Sequence, residues 1–169
     1  MAWKNGANSP LGVPAPNGVA DTTPAVPVGT IAKFYDDAFG EAEFIYLPAV
    51  AGTVAGDCIE YDLNPAGVTT VRHSNATASN SGRPVAFATA TSGAGTYEWY
   101  QISGVAIVNA VAGTVAGVMM GTATAGSVGN TADAGDQILG ARISTAVGTP
   151  AAGKSYATIN RPFVQGQIT

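Results

Sequence analysis

From Gly29 onward, apolar and polar positions alternate over short stretches, and glycine, proline, asparagine or aspartate interrupts each stretch before a helical period develops. Residues 29–35 and 41–47 flank Asp36-Asp37-Ala38-Phe39-Gly40, which predicts a hairpin with a short loop. Ile59, Tyr61 and Leu63 alternate with Cys58, Glu60 and Asp62, the period of a half-buried strand, and Asn64-Pro65-Ala66-Gly67 then turns the chain. Further strands are expected at 68–72, 85–91, 96–109, 115–122, 137–145 and 156–160, with polar, small-residue loops at 73–82 and 122–130. Many short strands with frequent turn signals predict an all-β fold, a small sandwich or barrel-like domain of short antiparallel strands.

Residues 1–28 read differently. They hold Pro10, Pro14, Pro16, Pro24 and Pro27, half of the ten prolines, a density that neither a helix nor a central strand tolerates. The expected organisation is an extended Pro/Gly-rich N-terminal arm over 1–28, ordered by lying across a neighbour, and a β-rich domain over 29–169. Met1-Ala2-Trp3-Lys4 leads into no apolar run, so the start does not read as a secretory signal.

The octapeptide Ala-Val-Ala-Gly-Thr-Val-Ala-Gly occurs at 49–56 and again at 110–117. Its glycines, four apart, suit either a packing seam between membrane helices or a connection between strands. Residues 99–132 carry no charge, which favours the first option, but Pro48 precedes the first copy and the acidic strand from Asp57 to Asp62 follows it. A bilayer core accepts neither, so strand connections are expected and no membrane span. Gly82-Arg83-Pro84-Val85 follows the first copy and Gly135-Asp136-Gln137-Ile138 the second, each a glycine turn entering a strand. A duplicated unit and chance reuse of an Ala/Gly/Val-rich loop both remain open.

Composition narrows the class of partner. Charged residues make up 11% of the chain against roughly 25% in ordinary soluble domains, and Gly numbers 22. A surface so poor in charge suits contact with protein, because small residues carry little desolvation cost. The net charge of −4, with seven dispersed basic residues, argues against nucleic acid. Cys58 is the only cysteine, so no intrachain disulfide holds the fold.

Three sets of residues have the ingredients of chemistry. Residues 148–155, Gly-Thr-Pro-Ala-Ala-Gly-Lys-Ser, satisfy the phosphate-loop pattern, yet no helix is predicted after Lys154 and no acidic residue follows to hold magnesium. Cys58, His73 and Asp62 could supply a thiol, a base and an orienting group; a buried cysteine beside Ile59 and a solvated histidine in a Ser/Asn loop are expected instead. Asp133 and Asp136 could share a calcium ion, though a polar turn before a strand explains them, and Asn75-Ala76-Thr77 matches a glycosylation acceptor only in a secreted eukaryotic chain. No catalytic residue, cofactor or metal is expected. The aromatic run at 97–100 places Tyr97 and Trp99 on one face of a strand and Tyr100, with Ile102, on the other, as core or subunit interface.

From 97 to 108 an aromatic strand leads through Ser103-Gly104 into a small apolar strand. A Val/Ala/Gly turn, an Ala/Thr/Gly-rich connection and Gln137-Ile138-Leu139-Gly140-Ala141-Arg142 follow. This order resembles the decoration, or cement, proteins that coat the capsids of tailed bacteriophages. Phe44 to Leu47 with Val54 to Asp57 resembles their first hairpins, so the likeness spans about residues 29 to 165. It implies a non-enzymatic structural protein of the virion, made in the host bacterial cytoplasm and bound outside the shell where capsomers meet. The implied partners are the major capsid protein and sister subunits, commonly in a homotrimer. The arm lies outside the likeness; its physical character makes Trp3, Pro10, Pro14, Pro16, Pro24 and Pro27 candidate capsid or subunit contacts, with Tyr97, Trp99 and Tyr100 joining them from the body. The alternative is a capsid fibre base or a module that recognises host glycan through Trp99 and Tyr100.

Overall fold

A computed structural model describes residues 1–6, 12–64, 67–72, 81–132 and 134–166. The fold is all-β: two antiparallel sheets form a sandwich, and the described residues contain no helix. The first sheet holds β1 (Ile31–Asp36), β2 (Gly40–Pro48), β3 (Cys58–Asn64), β4 (Gly67–Arg72), β5 (Val85–Ala88) and β6 (Tyr97–Gln101), in the spatial order β1-β2-β6-β5-β3-β4. The second holds β7 (Ser103–Asn109), β8 (Met119–Thr122), β9 (Val128–Asn130), β10 (Gln137–Ile143) and β11 (Lys154–Val164), in the order β7-β11-β10-β8-β9. The predicted hairpin is β1–β2, with Asp36 opposite Gly40 at its mouth. Asp36 closes that turn by accepting hydrogen bonds from the Ala38 and Phe39 amides.

Several expected strands change at their ends. The single strand expected over 96–109 is two strands in different sheets, because the chain turns a corner at Ile102. There Ile102 donates to the Glu43 carbonyl and accepts from the Arg161 amide, which ties the corner to β2 and β11. Gly104 makes the corner passable: its φ is +93°, and a Cβ there would stand 2.9 Å from Ala42 Cβ and 3.0 Å from the Glu41 carbonyl oxygen. The strand expected over 115–122 begins only at Met119, since Val115 to Val118 complete a loop. β9 falls inside the loop expected over 122–130, where Val128 is buried against the core. β11 runs well past residue 160, through Pro162, because a bulge at Arg161 (φ +44°) relieves the ladder of the proline's missing N–H.

The second sheet repeats the first, strand for strand. Leaving out β1, the first sheet reads β2-β6-β5-β3-β4 and the second β7-β11-β10-β8-β9, so each strand of one has a counterpart at the same place in chain and sheet in the other. The octapeptides are the corresponding first connections, and they fold alike. Thr53 and Thr114 are both buried, and each donates its hydroxyl and its amide to the carbonyl of Val50 and Val111 respectively. Gly52 and Gly113 take φ of +76° and +84°. The anchoring bonds correspond as well: Ala49 N–H to the Thr96 carbonyl matches Ala110 N–H to Gly153, Gly56 to Ala88 matches Gly117 to Ile143, and Ser92 to Thr53 matches Val147 to Thr114. The pairing Cys58↔Phe87 becomes Met119↔Arg142. Of the two readings left open by the sequence, the geometry supports the repeated unit, 40–101 followed by 103–164, equal in length.

Each unit is a curled sheet with apolar residues inside the curl. In the first, Ile45, Leu47, Ile59, Ala86, Ala88, Tyr100 and Ile102 form that interior. In the second it is Ala106, Val108, Met120, Val128, Ala141, Ile143, Ala157 and Ile159, and Cys58, Val85 and Phe87 from the outer face of the first unit pack onto it. One unit thus uses part of its outer face to close the other, which joins the two sheets through a continuous apolar layer. The rest of the first unit's outer face needs a different cover.

Candidate functional site

That cover is the N-terminal arm. β2 alternates so that Ile45 and Leu47 point into the curl while Phe44 and Tyr46 point out, where they join Ala32, Phe34, Ala42 and Trp99 in a second apolar layer. Trp3, Val13, Ala15, Val26 and Tyr97 pack over it. The Trp3 ring meets Phe44 edge-on with centroids 4.8 Å apart, and Phe34 and Tyr46 make similar edge contacts with Trp99 at 5.2 and 5.1 Å.

Polar contacts set the arm's course. Lys4 exchanges two backbone hydrogen bonds with Tyr35 on the outer edge of β1, and Asp21 exchanges two with Tyr97. Prolines supply no N–H, so the arm touches the sheet at isolated bridges instead of adding a strand. The Tyr46 hydroxyl donates to Asp21 Oδ2 at 2.6 Å and accepts from the Ala25 amide at 3.1 Å. Burial, reinforced by Asp21, pushes this phenol up to about 12. At the start of the arm, Asp36 accepts from the Ala2 amide and Lys4 pairs with Asp37.

The candidate contact residues therefore divide. Trp3 is half-buried and Pro16 buried against the chain's own body, while Pro14, Pro24 and Pro27 are exposed. Pro10 lies outside the described residues. Tyr97 is half-buried under the arm, Trp99 is only 5% exposed and Tyr100 is fully enclosed, so in this conformation neither Trp99 nor Tyr100 offers a face to a sugar or a partner.

Beside this layer sits a buried carboxylate that the sequence reading passed over. Glu98, on β6, accepts hydrogen bonds from the Ala90 amide and the Ser92 hydroxyl, which pins the turn between β5 and β6. The Tyr100 hydroxyl is buried without a hydrogen bond of ordinary geometry. Desolvation holds the Glu98 carboxyl above the usual range in spite of its donors. The protonated acid is therefore favoured by folding, and this contribution is complete at acid pH and lost as pH rises through the folded-state value. Glu98→Gln, which is neutral throughout, is expected to flatten the fall in melting temperature that begins as pH rises past the ordinary glutamate value of about 4.3. Parallel thermal melts of the two proteins check this; identical pH profiles would contradict it.

The phosphate-loop pattern has no phosphate-loop geometry. Residues 148–153 lie in the connection from β10 to β11, Lys154 and Ser155 begin a strand, and no helix N-terminus lies among the described residues to hold an anion. Lys154 spans the two units: its ammonium donates to the Ala55 carbonyl in the first octapeptide and to Asn109 Oδ1, whose amide nitrogen donates to Asp57. Burial pushes this ammonium below the usual lysine range, with Asp57 opposing the shift. A cleft of about 350 Å³ opens next to it, bounded by Met1, Trp3, Gln101, Ile107 and Pro150.

The other chemical candidates are only partly described. Cys58 is fully buried, and burial drives its thiol upward, away from the thiolate a nucleophile needs. Asp62 is exposed on β3, and His73 lies outside the described residues, as do Asn75 and Asp133. Asp136 accepts from the Ala132 amide and closes the turn into β10. No cluster of three or more metal-ligating side chains occurs among the described residues, and no helix among them is long and apolar enough to cross a membrane. Comparison with protein-family models, with curated proteins and with solved structures finds no match to this chain.

Proposed function

We propose that the chain is a structural virion protein that binds the outside of a tailed-bacteriophage capsid and stabilises the shell where capsomers meet. The observation that carries this reading is the character of the exposed surface. A scaffold with only 11% charged residues leaves Val54 and Val115 at the tips of its two matching loops 42% and 47% exposed, with Ile31, Leu63, Met119 and Phe163 also exposed. Single exposed apolar residues are ordinary on a monomer; what supports contact with other protein is their placement on two matching loops of so weakly charged a scaffold. The polar groups that could have made a catalytic centre are instead spent within the fold, as Lys154 and Glu98 illustrate. The major capsid protein is the partner in this reading, and the working assembly is a homotrimer.

The mechanism is linkage. A protein that binds the assembled lattice but not the parted subunits adds its binding free energy to the stability of the lattice, about 2.7 kcal/mol per site at a hundredfold excess over Kd. The test is a heat challenge of purified shells with and without the protein. Added protein should raise the temperature at which shells disassemble, with Cys58→Ser as effective as the unaltered chain. Shells that neither retain the protein nor gain heat resistance would overturn the proposal.

A further inference from the structure

The repeat allows one face of the molecule to be read from another. In the first unit the outer face of β2 and β6 carries Phe44, Tyr46 and Trp99, and the arm covers it. The same register positions on β7 and β11 of the second unit are Val105, Ile107 and Tyr156, with Ile107 opposite Tyr156 as Tyr46 is opposite Trp99. These three are half-buried instead of buried. The Phe39 ring, from the β1–β2 turn, meets Tyr156 at 5.4 Å, and the 350 Å³ cleft lies along Ile107. Thr158 and Arg142, further along this face, are exposed. The second unit thus keeps the apolar strip that seats an arm in the first unit; the chain's own arm only borders it, where Met1, Trp3 and Pro16 line the cleft together with Ile107 and Lys154.

Charge indicates what the strip would accept. Residues 12–28 of the arm contain one charged side chain, Asp21, which lies against Tyr97. The counterpart of Tyr97 in the second unit is Lys154, opposite Asn109 as Tyr97 is opposite Pro48. Lys154 uses two of its three N–H donors inside the fold, and Arg142 adds a second cation to the face. We propose that the outer face of β7 and β11 docks an extended, proline-rich, weakly acidic segment of a partner protein, in the manner in which β2 and β6 dock the chain's own arm. The inference stands on the repeat, whether or not the partner is a capsid.

A synthetic peptide of residues 12–28 is the probe, titrated into the full chain while backbone amide NMR shifts are followed. Shifts should concentrate at Val105, Ile107, Tyr156 and Lys154. Thr158→Glu, an exposed change that leaves the core untouched and sets bulk and negative charge on the strip, should weaken binding about tenfold, and an Asp21→Asn peptide should bind more weakly than the parent. Shifts confined to β2 and β6, equal binding to the Thr158→Glu protein, or no binding at millimolar peptide would each overturn the proposal.

Discussion

Deleting residues 1–28 is expected to lower the melting temperature by about 10 °C or more and to make the remaining chain self-associate. The arm packs on a layer in which Phe34, Phe44, Tyr46 and Trp99 are all 5% exposed or less. Uncovering apolar side chains costs roughly 25 cal/mol per Å², so losing cover from Trp3, Val13, Ala15 and Val26 removes several kcal/mol. Because domains are stable by only about 5–15 kcal/mol, that is a large share of the total. Trp3→Ala alone, at a half-buried ring, should cost about 2 kcal/mol. Thermal melts read the stability and light scattering reads the association. An unchanged melting temperature in the truncated chain would show that the aromatic layer does not depend on its cover.

Gly104→Ala is expected to cost about 3–4 kcal/mol. Two costs coincide there. The backbone is held at φ +93°, where an L side chain is strained, and the new Cβ would press on Ala42 Cβ and the Glu41 carbonyl. Neither neighbour can yield, since both belong to the β1–β2 hairpin on which the corner rests. Gly113→Ala separates the two terms: its φ is +84° but nothing lies within 4 Å of the added carbon, so it should cost only about 1–2 kcal/mol. Urea unfolding of the two variants gives the comparison. Equal losses would mean that the crowding at the β6–β7 corner is not real.

The elements most legible in the sequence are those whose pattern is local. The hairpin around Asp36 to Gly40 and the alternation at Cys58 to Leu63 are written in neighbouring residues, and the structure places strands there. The division of Tyr97 and Trp99 from Tyr100 and Ile102 also follows from the two-residue period. What escapes is decided by residues distant in sequence. Residues 96–109 alternate as one strand, and only the approach of Ala42 reveals why Gly104 must break it in two. Pro162 reads as a strand terminator until the bulge at Arg161 is seen to accommodate it. Val115 reads as the start of a strand although its twin Val54 lies in a connection, and the structure places both in matching loops.

The candidate site was legible in composition but not in position. The prolines mark an arm that cannot join a sheet, yet nothing in them says that its resting place is the chain's own β2 and β6. Glu98 is not legible, because an acid beside aromatics gives no local sign that it will be enclosed and held by the Ala90 amide and Ser92. Lys154 stands out in the sequence for a phosphate-loop pattern, whereas in the fold it joins the first octapeptide to the second unit. The proposed role as a capsid-binding protein places the demand on the surface left over once these internal contacts are made, which is poor in charge and exposes Val54 and Val115 on matching loops.

Copy counting by cryo-electron microscopy tests that role most directly. Shells assembled from the major capsid protein encoded in the same genome, incubated with the purified chain, should carry density for the protein outside the capsid at most equivalent junctions, repeated with the symmetry of the lattice. Bare shells, or a few copies confined to one vertex, would contradict the account.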